Sequence, residues 1–271
     1  MRAEDAHRML ASNRFDAAPT AEHIELVKRA REGVAARVEG LDQDGLITER
    51  PAELDEHVNA LRAVPSAMPL FNEGWDVALV DLTRVCAFQP LVFSDQAVER
   101  VQSVDGEDIK SIASLTLPLD VDAQLPIQFD PVRQAWLISS ENPNLRILGN
   151  TAGPMTPGPG APTILGFAVS SMSSFLQVGR HRGRYFLRDG YHRAFGFLSR
   201  GITVVPAFVR DIASFEELVP DPRTMLPQDS YQGHRPPVLS DYLDDEVAAA
   251  VRVPSVHKLI VIQGLELTPI G

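Results

Sequence analysis

An α+β fold is expected for this chain, a small mixed sheet flanked by helices, on three observations. Segments such as 76–81 (DVALVD) and 202–209 (ITVVPAFV) are rich in the β-branched residues that suit a pleated, half-buried surface. Other segments, at 21–38, 94–101 and 191–200, place apolar residues at helical spacing. The two kinds do not alternate as regular βαβ units, so a wholly parallel sheet is not expected.

Taken in order, Thr20 is placed to cap a helix from Ala21, with Ile24, Val27, Val34 and Val38 on partly helical spacing and Gly40 as its stop. Pro51 suits the first turn of a second helix reaching about Arg62, and Pro65 and Pro69 break that pattern. After Trp75 the character changes: 76–81 reads as a strand, and 85–93 (VCAFQPLVF) as a strand interrupted by Pro90. Short helices are expected over 94–101 and 105–115, each opened by a capping-type residue, Ser94 and Asp105. Residues 126–148 suggest a hairpin, with turn signals at Asp130-Pro131 and Asn142-Pro143.

The run 149–162 (GNTAGPMTPGPGAP) holds four glycines and four prolines, a density that points to a loop serving as tether or lid. A second hairpin is expected over 175–188 about a turn at 179–182. The helix over 191–200 buries Ala194, Phe197 and Leu198 and stops at Gly201. Pro206 places the strand 202–209 near an edge or a bulge. A short helix after Ser214, a proline-rich stretch, a helix near 241–251 and a strand over 258–267 complete the reading.

Composition removes several functions. The 271 residues carry a formal net charge of −11, which argues against broad adhesion to DNA or to an anionic membrane. No apolar run approaches the ~20 residues that span a bilayer, and MRAEDAHRML has no apolar signal core, so a cytoplasmic location is expected. The single cysteine, Cys86, cannot form an internal disulfide or a Cys-rich zinc site. Against this acidity, 180–193 holds Arg180, Arg182, Arg184, Arg188 and Arg193 with one acid, Asp189. That local excess suggests a focused anion site, or else a hairpin whose solvent face is arginine-rich.

The candidate site is the junction Asp189-Gly190-Tyr191-His192-Arg193. Glycine there admits close backbone approach by a ligand. The helix that follows opens with unpaired N–H groups and a positive dipole end, which favour an anion. Arg193 can make two parallel bonds to a phosphate, or a surface salt bridge. His192, in the first turn, is expected to be neutral and to donate or accept a hydrogen bond. Asp189 is placed to act as general base, to hold a magnesium ion through water, or simply to cap the helix. Arg188, Gly190 and Tyr191 complete the expected ligand-binding set, with Asp189 and His192 as catalytic candidates. No motif for a protein-held metal appears.

The segment 183–210, strand–DG-x-HR–helix–GI-x-x-VP–strand, resembles the core of the ParB N-terminal/sulfiredoxin-like superfamily. The close similarity covers about thirty residues, and a looser one reaches back to about residue 75, where Gln89-Pro90 stands in the comparable turn without the flanking asparagine and arginine often seen there. The resemblance implies that the turn binds nucleotide phosphates, and a magnesium ion held with the nucleotide is compatible with it. Its members include partitioning CTPases, sulfiredoxins and a free-serine kinase. Tyr191 stands where sulfiredoxins have their catalytic cysteine, so that activity is not expected.

On this basis the chain divides into a helical N-terminal extension (1–70), a ParB/sulfiredoxin-like core (71–211) and a C-terminal extension (212–271). Two functions remain open: a nucleotide-dependent phosphotransferase or NTP hydrolase, and a non-catalytic regulatory module binding DNA or protein. No helix-turn-helix follows the core, which disfavours DNA. The N-terminal helices offer a surface for self-association. Gly233-His234-Arg235-Pro236 is a second histidine–arginine pair, read mainly as loop.

Overall fold

The computed structural model describes residues 20–37, 40–119, 127–140, 145–154, 163–171, 174–219, 226, 228–251 and 258–263. The chain is α+β, and its contacts gather it into two units. One comprises Met1–Leu119 with Ser174–Arg252, and the other Asp120–Ser173 with Val253–Gly271. This cuts the chain elsewhere than the three-part division read from the sequence, because a β-rich segment interrupts the larger unit.

The larger unit begins with α1 (Ala21–Ala36), capped by the Thr20 side chain as expected. Strand β1 (Ile47–Thr48) and helices α2 (Asp55–Leu61) and α3 (Met68–Asn72) follow. Then come β2 (Asp76–Asp81), α4 (Ser94–Val101) and α5 (Ile109–Thr116). The α5 cap is Asp108 rather than Asp105, whose carboxylate instead takes the amide of Glu107. After re-entry at Ser174 the chain forms β7 (Gln177–His181), β8 (Arg184–Asp189), α6 (Tyr191–Ser199) and β9 (Val204–Asp211). Short helices α7 (Phe215–Leu218) and α8 (Gln228–Gln232) come last.

The sheet order is β1-β2-β9-β7-β8, with β9 antiparallel to β2 and parallel to β7. Strand β9 is therefore interior, not an edge. Pro206 is tolerated because the parallel pairing with β7 starts only at Phe208. The amide of Phe208 bonds Leu176 on that side. Strand alternation aims position 206 the same way, beyond the partner's reach, so its missing N–H forfeits no rung. The hairpin turn between β7 and β8 is Arg182-Gly183, both at positive φ (51° and 79°), so it lies later than the 179–182 placement. Two left-handed residues suit the twist of a tight hairpin.

Two further expectations are corrected in this unit. Residues 85–93 do not form a strand: Cys86 alone makes bridges, to Phe186 and Val238, and the rest is irregular. Pro90 and the bonds that hold the Gln89 backbone sideways divert the segment from a ladder. Residues 241–251 do not form a helix beyond the 3₁₀ stretch Leu239–Leu243. Asp241 and Asp244 are drawn instead into ion pairs with Arg37, and Asp241 also pairs with Arg235.

Helices α4 and α6 pack on one face of this sheet over a core that includes Val80, Leu82, Leu176, Leu187, Phe197 and Val205. Each fully buried side chain of this size contributes about 1.5–3 kcal/mol. The helices approach closely because Gly196 lies against the Ala97 carbonyl, where any side chain would collide.

The second unit contains β3 (Ile127–Asp130), β4 (Ala135–Ser140) and β10 (Lys258–Gln263), ordered β10-β4-β3. The turn after Asp130 is as expected, with the Asp130 carboxylate accepting from Val132 and Arg133 amides. A separate ribbon pairs β5 (Leu145–Pro154) with β6 (Thr163–Ser171). The expected loop is thus corrected for residues 149–154, which continue β5. An irregularity between Ile147 and Gly149 absorbs the strain, and Pro154 is the last residue of the strand, where a missing donor costs least. Residues 155–162, the remainder of that expected loop, lie outside the described residues, as does the 142–143 turn. Among the described residues no helix is long and apolar enough to cross a membrane.

Candidate functional site

Strand β8 delivers Asp189 to the edge of the sheet, and Gly190 turns the chain into α6 with φ 103° and ψ 20°. A side chain at position 190 would stand 3.1–3.2 Å from Leu176, backbone included, on top of the strained φ. No side chain caps α6. The Gly190 carbonyl takes the Ala194 amide, and the amides of Tyr191, His192 and Arg193 find no acceptor among the described residues. The unpaired donors expected from the sequence are therefore in place.

Asp189 is exposed and does not cap the helix. Its Oδ2 accepts from Ser174 Oγ at 3.0 Å. Ser174 Oγ in turn accepts from Arg193 Nη2 at 2.7 Å, and Arg193 Nη1 donates to the carbonyls of Leu115 (3.0 Å) and Ser174. Arg193 is only 6% exposed, so its guanidinium forms the floor of the turn and ties three chain segments together. Burial pushes its pKa down to about 10, with Asp189 opposing and Arg100 adding to the depression.

His192 goes another way. Its ring stacks on Phe93 at the start of α4, centroids 5.8 Å apart and planes 14° from parallel. Its Nε2 is buried and has no hydrogen-bond partner among the described residues. Burial first, then Arg100 and Arg193, push its pKa down to about 4, with Asp189 opposing, so the ring is neutral at pH 7 as expected.

Tyr191 is buried, and its hydroxyl donates to the Leu187 carbonyl (2.7 Å) while accepting from the amides of Phe88 (3.1 Å) and Gln89 (3.4 Å). Its backbone faces the turn, but its side chain is committed to the interior. The Gln89-Pro90 segment is thereby brought beside the helix start. Arg188 points to the face of β8 opposite Asp189: it donates to Gln177 Oε1 at 2.6 Å and to the Glu217 carbonyl, and lies over Trp75.

The structure thus brings Asp189, Gly190, His192 and the Tyr191 backbone together, with Arg193 beneath them and Arg188 elsewhere. The other hairpin arginines lie away from the turn. Arg180 lies 3.8 Å from Asp211 and Arg184 donates to the Tyr231 carbonyl. They line a polar cleft of about 430 Å³ with Arg182, Asp42 and Asp44, at the far end of β8. Five residue steps, about 17 Å, separate that cleft from Asp189. Its mixed charge makes it a poor counterpart to phosphate, and the turn, where the unpaired donors converge, is the better candidate. Arg235 is held by Asp241 and does not reach the turn.

One charged side chain escaped the sequence reading. Phe93, Ala97, Arg100 and Val101 fall on the stripe of α4 that faces α6, and Arg100 is the cation within it. A charge at an apolar stripe position was the available signal. Burial lowers the Arg100 pKa, and Asp189 is the carboxylate that opposes this. Arg100, Arg193 and His192 thus share one acidic neighbour. Among the described residues no group of three or more His, Cys, Asp or Glu side chains is placed to hold a metal ion. No protein-family model, curated protein or solved structure matches this chain.

Proposed function

We propose that the chain has a ParB/sulfiredoxin-like core and binds the phosphates of a nucleotide at the turn between β8 and α6, with phosphoryl transfer or nucleotide hydrolysis as its class of activity. The observation that carries this reading is the uncapped start of α6: three amides without acceptors among the described residues, behind a glycine at φ 103° and above the buried Arg193 guanidinium. Such a site suits an oxyanion, whose charge the amides and helix dipole stabilise. The order β7–β8–turn–α6–β9 supports the superfamily reading.

In this reading the backbone holds the phosphates, and neutral His192 limits the approach from the α4 side. Asp189, oriented by Ser174, is the residue placed to accept a proton from an attacking hydroxyl or water. Magnesium, when bound with the nucleotide, would supply charge neutralisation between phosphate oxygens.

The test is isothermal titration and thermal-shift measurement with ATP, ADP and CTP, each with and without magnesium. Binding by at least one nucleotide is expected, and Asp189→Asn should retain that binding while losing any turnover. If none of the nucleotides binds or stabilises the protein, the reading is wrong.

A further inference from the structure

We infer that the cleft between the 41–47 segment and the β7–β8 hairpin turn binds a short peptide by its two charged ends, the carboxylate at Arg182 and the ammonium at Asp42 and Asp44. This site lies at the other end of β8 from the phosphate turn and stands without it.

The cleft holds about 430 Å³, and its lining carries both signs of charge: Arg180, Arg182 and Arg184 on the hairpin, Asp42 and Asp44 on the facing segment. Small-ligand pockets span roughly 300–1,000 Å³, so the occupant is a small one. Two of the arginines have partners. Arg180 lies 3.8 Å from Asp211 and over the Tyr185 ring, and Arg184 donates to the Tyr231 carbonyl. Arg182 is exposed and makes no hydrogen bond or ion pair with any described residue. Neither aspartate has a cation within 4 Å among the described residues; Asp42 Oδ1 takes only the Asp44 amide, at 2.9 Å.

The opposite charges stay apart because each wall is fixed by other bonds. Gln43 Oε1 accepts from the Tyr185 amide (3.1 Å), and Gln43 Nε2 donates to the Tyr185 and Arg84 carbonyls (3.3 and 2.7 Å). Arg84 in turn donates to the Asp44 carbonyl at 2.8 Å. Across the cleft, Arg182 and Gly183 form the left-handed turn of the hairpin. The two signs are thus held in place before any ligand arrives, which lowers the ordering cost of binding one.

An anion alone would meet the aspartates unfavourably, and a cation alone the arginines. A ligand bearing both charges sets each against its complement. Extended dipeptides and tripeptides separate their ends by roughly 7–10 Å, a span suited to a cleft of this size. A guanidinium takes the two oxygens of a carboxylate at once, and an ammonium offers three donors to the aspartates.

The experiment titrates the full chain, labelled with nitrogen-15, with Gly-Gly and Gly-Gly-Gly while following the amides of Gly45, Arg182 and Gly183. Saturable shifts at these amides are expected with at least one peptide. N-acetylation or C-amidation of that peptide should each weaken binding about 10-fold. Arg182→Gln should weaken the free peptide about 10-fold and leave affinity for the amidated form unchanged. Asp42→Asn with Asp44→Asn should weaken the free peptide and spare the acetylated form; Asp42→Asn keeps an oxygen for the Asp44 amide. Urea unfolding of both variants should match the parent protein. No saturable shift at the cleft, or capped peptides that bind as tightly as free ones, overturns the inference. So does an Arg182→Gln protein that binds the free peptide as the parent does. None of these results bears on the phosphate turn, since the titrations contain no nucleotide.

Discussion

Replacing His192 by phenylalanine should alter how stability responds to acid. The folded chain holds this imidazole neutral, its pKa pushed from 6.5 to about 4, chiefly by burial and then by Arg100 and Arg193. The unfolded chain takes up the proton near pH 6.5, whereas the folded chain resists until about pH 4. Between these values the unfolded state binds more protons, so its stabilisation grows as pH falls. The contribution of neutral His192 is therefore intact above pH 6.5 and is lost progressively toward pH 4. Integration over the two pKa values gives a loss of about 2 kcal/mol by pH 5 and about 3 kcal/mol by pH 4. Water reaches part of the ring, which reduces the expected value at pH 5 to about 1–2 kcal/mol. Phenylalanine keeps the stack on Phe93 but cannot titrate. Urea unfolding of both proteins at pH 7.5 and pH 5, at one ionic strength, cancels the carboxylates they share. The variant should gain about 1–2 kcal/mol relative to the parent on acidification. A difference between the two that does not move with pH refutes the picture of a buried, neutral histidine.

Other substitutions at the turn have expected outcomes of their own. Gly190→Ala places a side chain at φ 103° and 3.1–3.2 Å from Leu176, so urea unfolding should show a loss of about 1–3 kcal/mol. Tyr191→Phe strips the buried amide of Phe88 and the part-buried amide of Gln89 of their acceptor and should cost about 2 kcal/mol, with faster hydrogen exchange at Phe88. A Tyr191→Phe protein as stable as its parent would show that water replaces the phenol.

Much of the larger unit could be read in advance because its signals are local. The cap at Thr20 satisfies the very amide its position suggests, although Ser94 caps nothing and Asp108 takes the place expected of Asp105, and the strand–turn–helix–strand order around Gly190 follows from residues adjacent in sequence. Expectations failed where a distant partner decides. The 149–154 segment has poor strand composition, yet β6 pairs with it residue by residue. Pro206 resembles an edge marker, but its acceptable place depends on where β7 begins. Residues 85–93 are apolar enough for a strand, and their backbone is claimed instead by Tyr185, Tyr191, Pro237 and Tyr242. At the site, the residue types were legible and their directions were not. Arg193 looked like an exposed grip because nothing in its neighbourhood announces Ser174 or Leu115, 19 and 78 positions away.

The Tyr191 phenol carries one consequence for motion. A single oxygen fastens the end of β8 to the Phe88–Gln89 backbone, and the Gln89 carbonyl is fastened again by the Tyr242 hydroxyl. The first residue of the helix therefore cannot shift alone; it drags two remote stretches of chain with it. If a ligand binds at that helix end, as proposed, it meets a seat whose shape was fixed during folding, so little ordering entropy remains to be surrendered on capture.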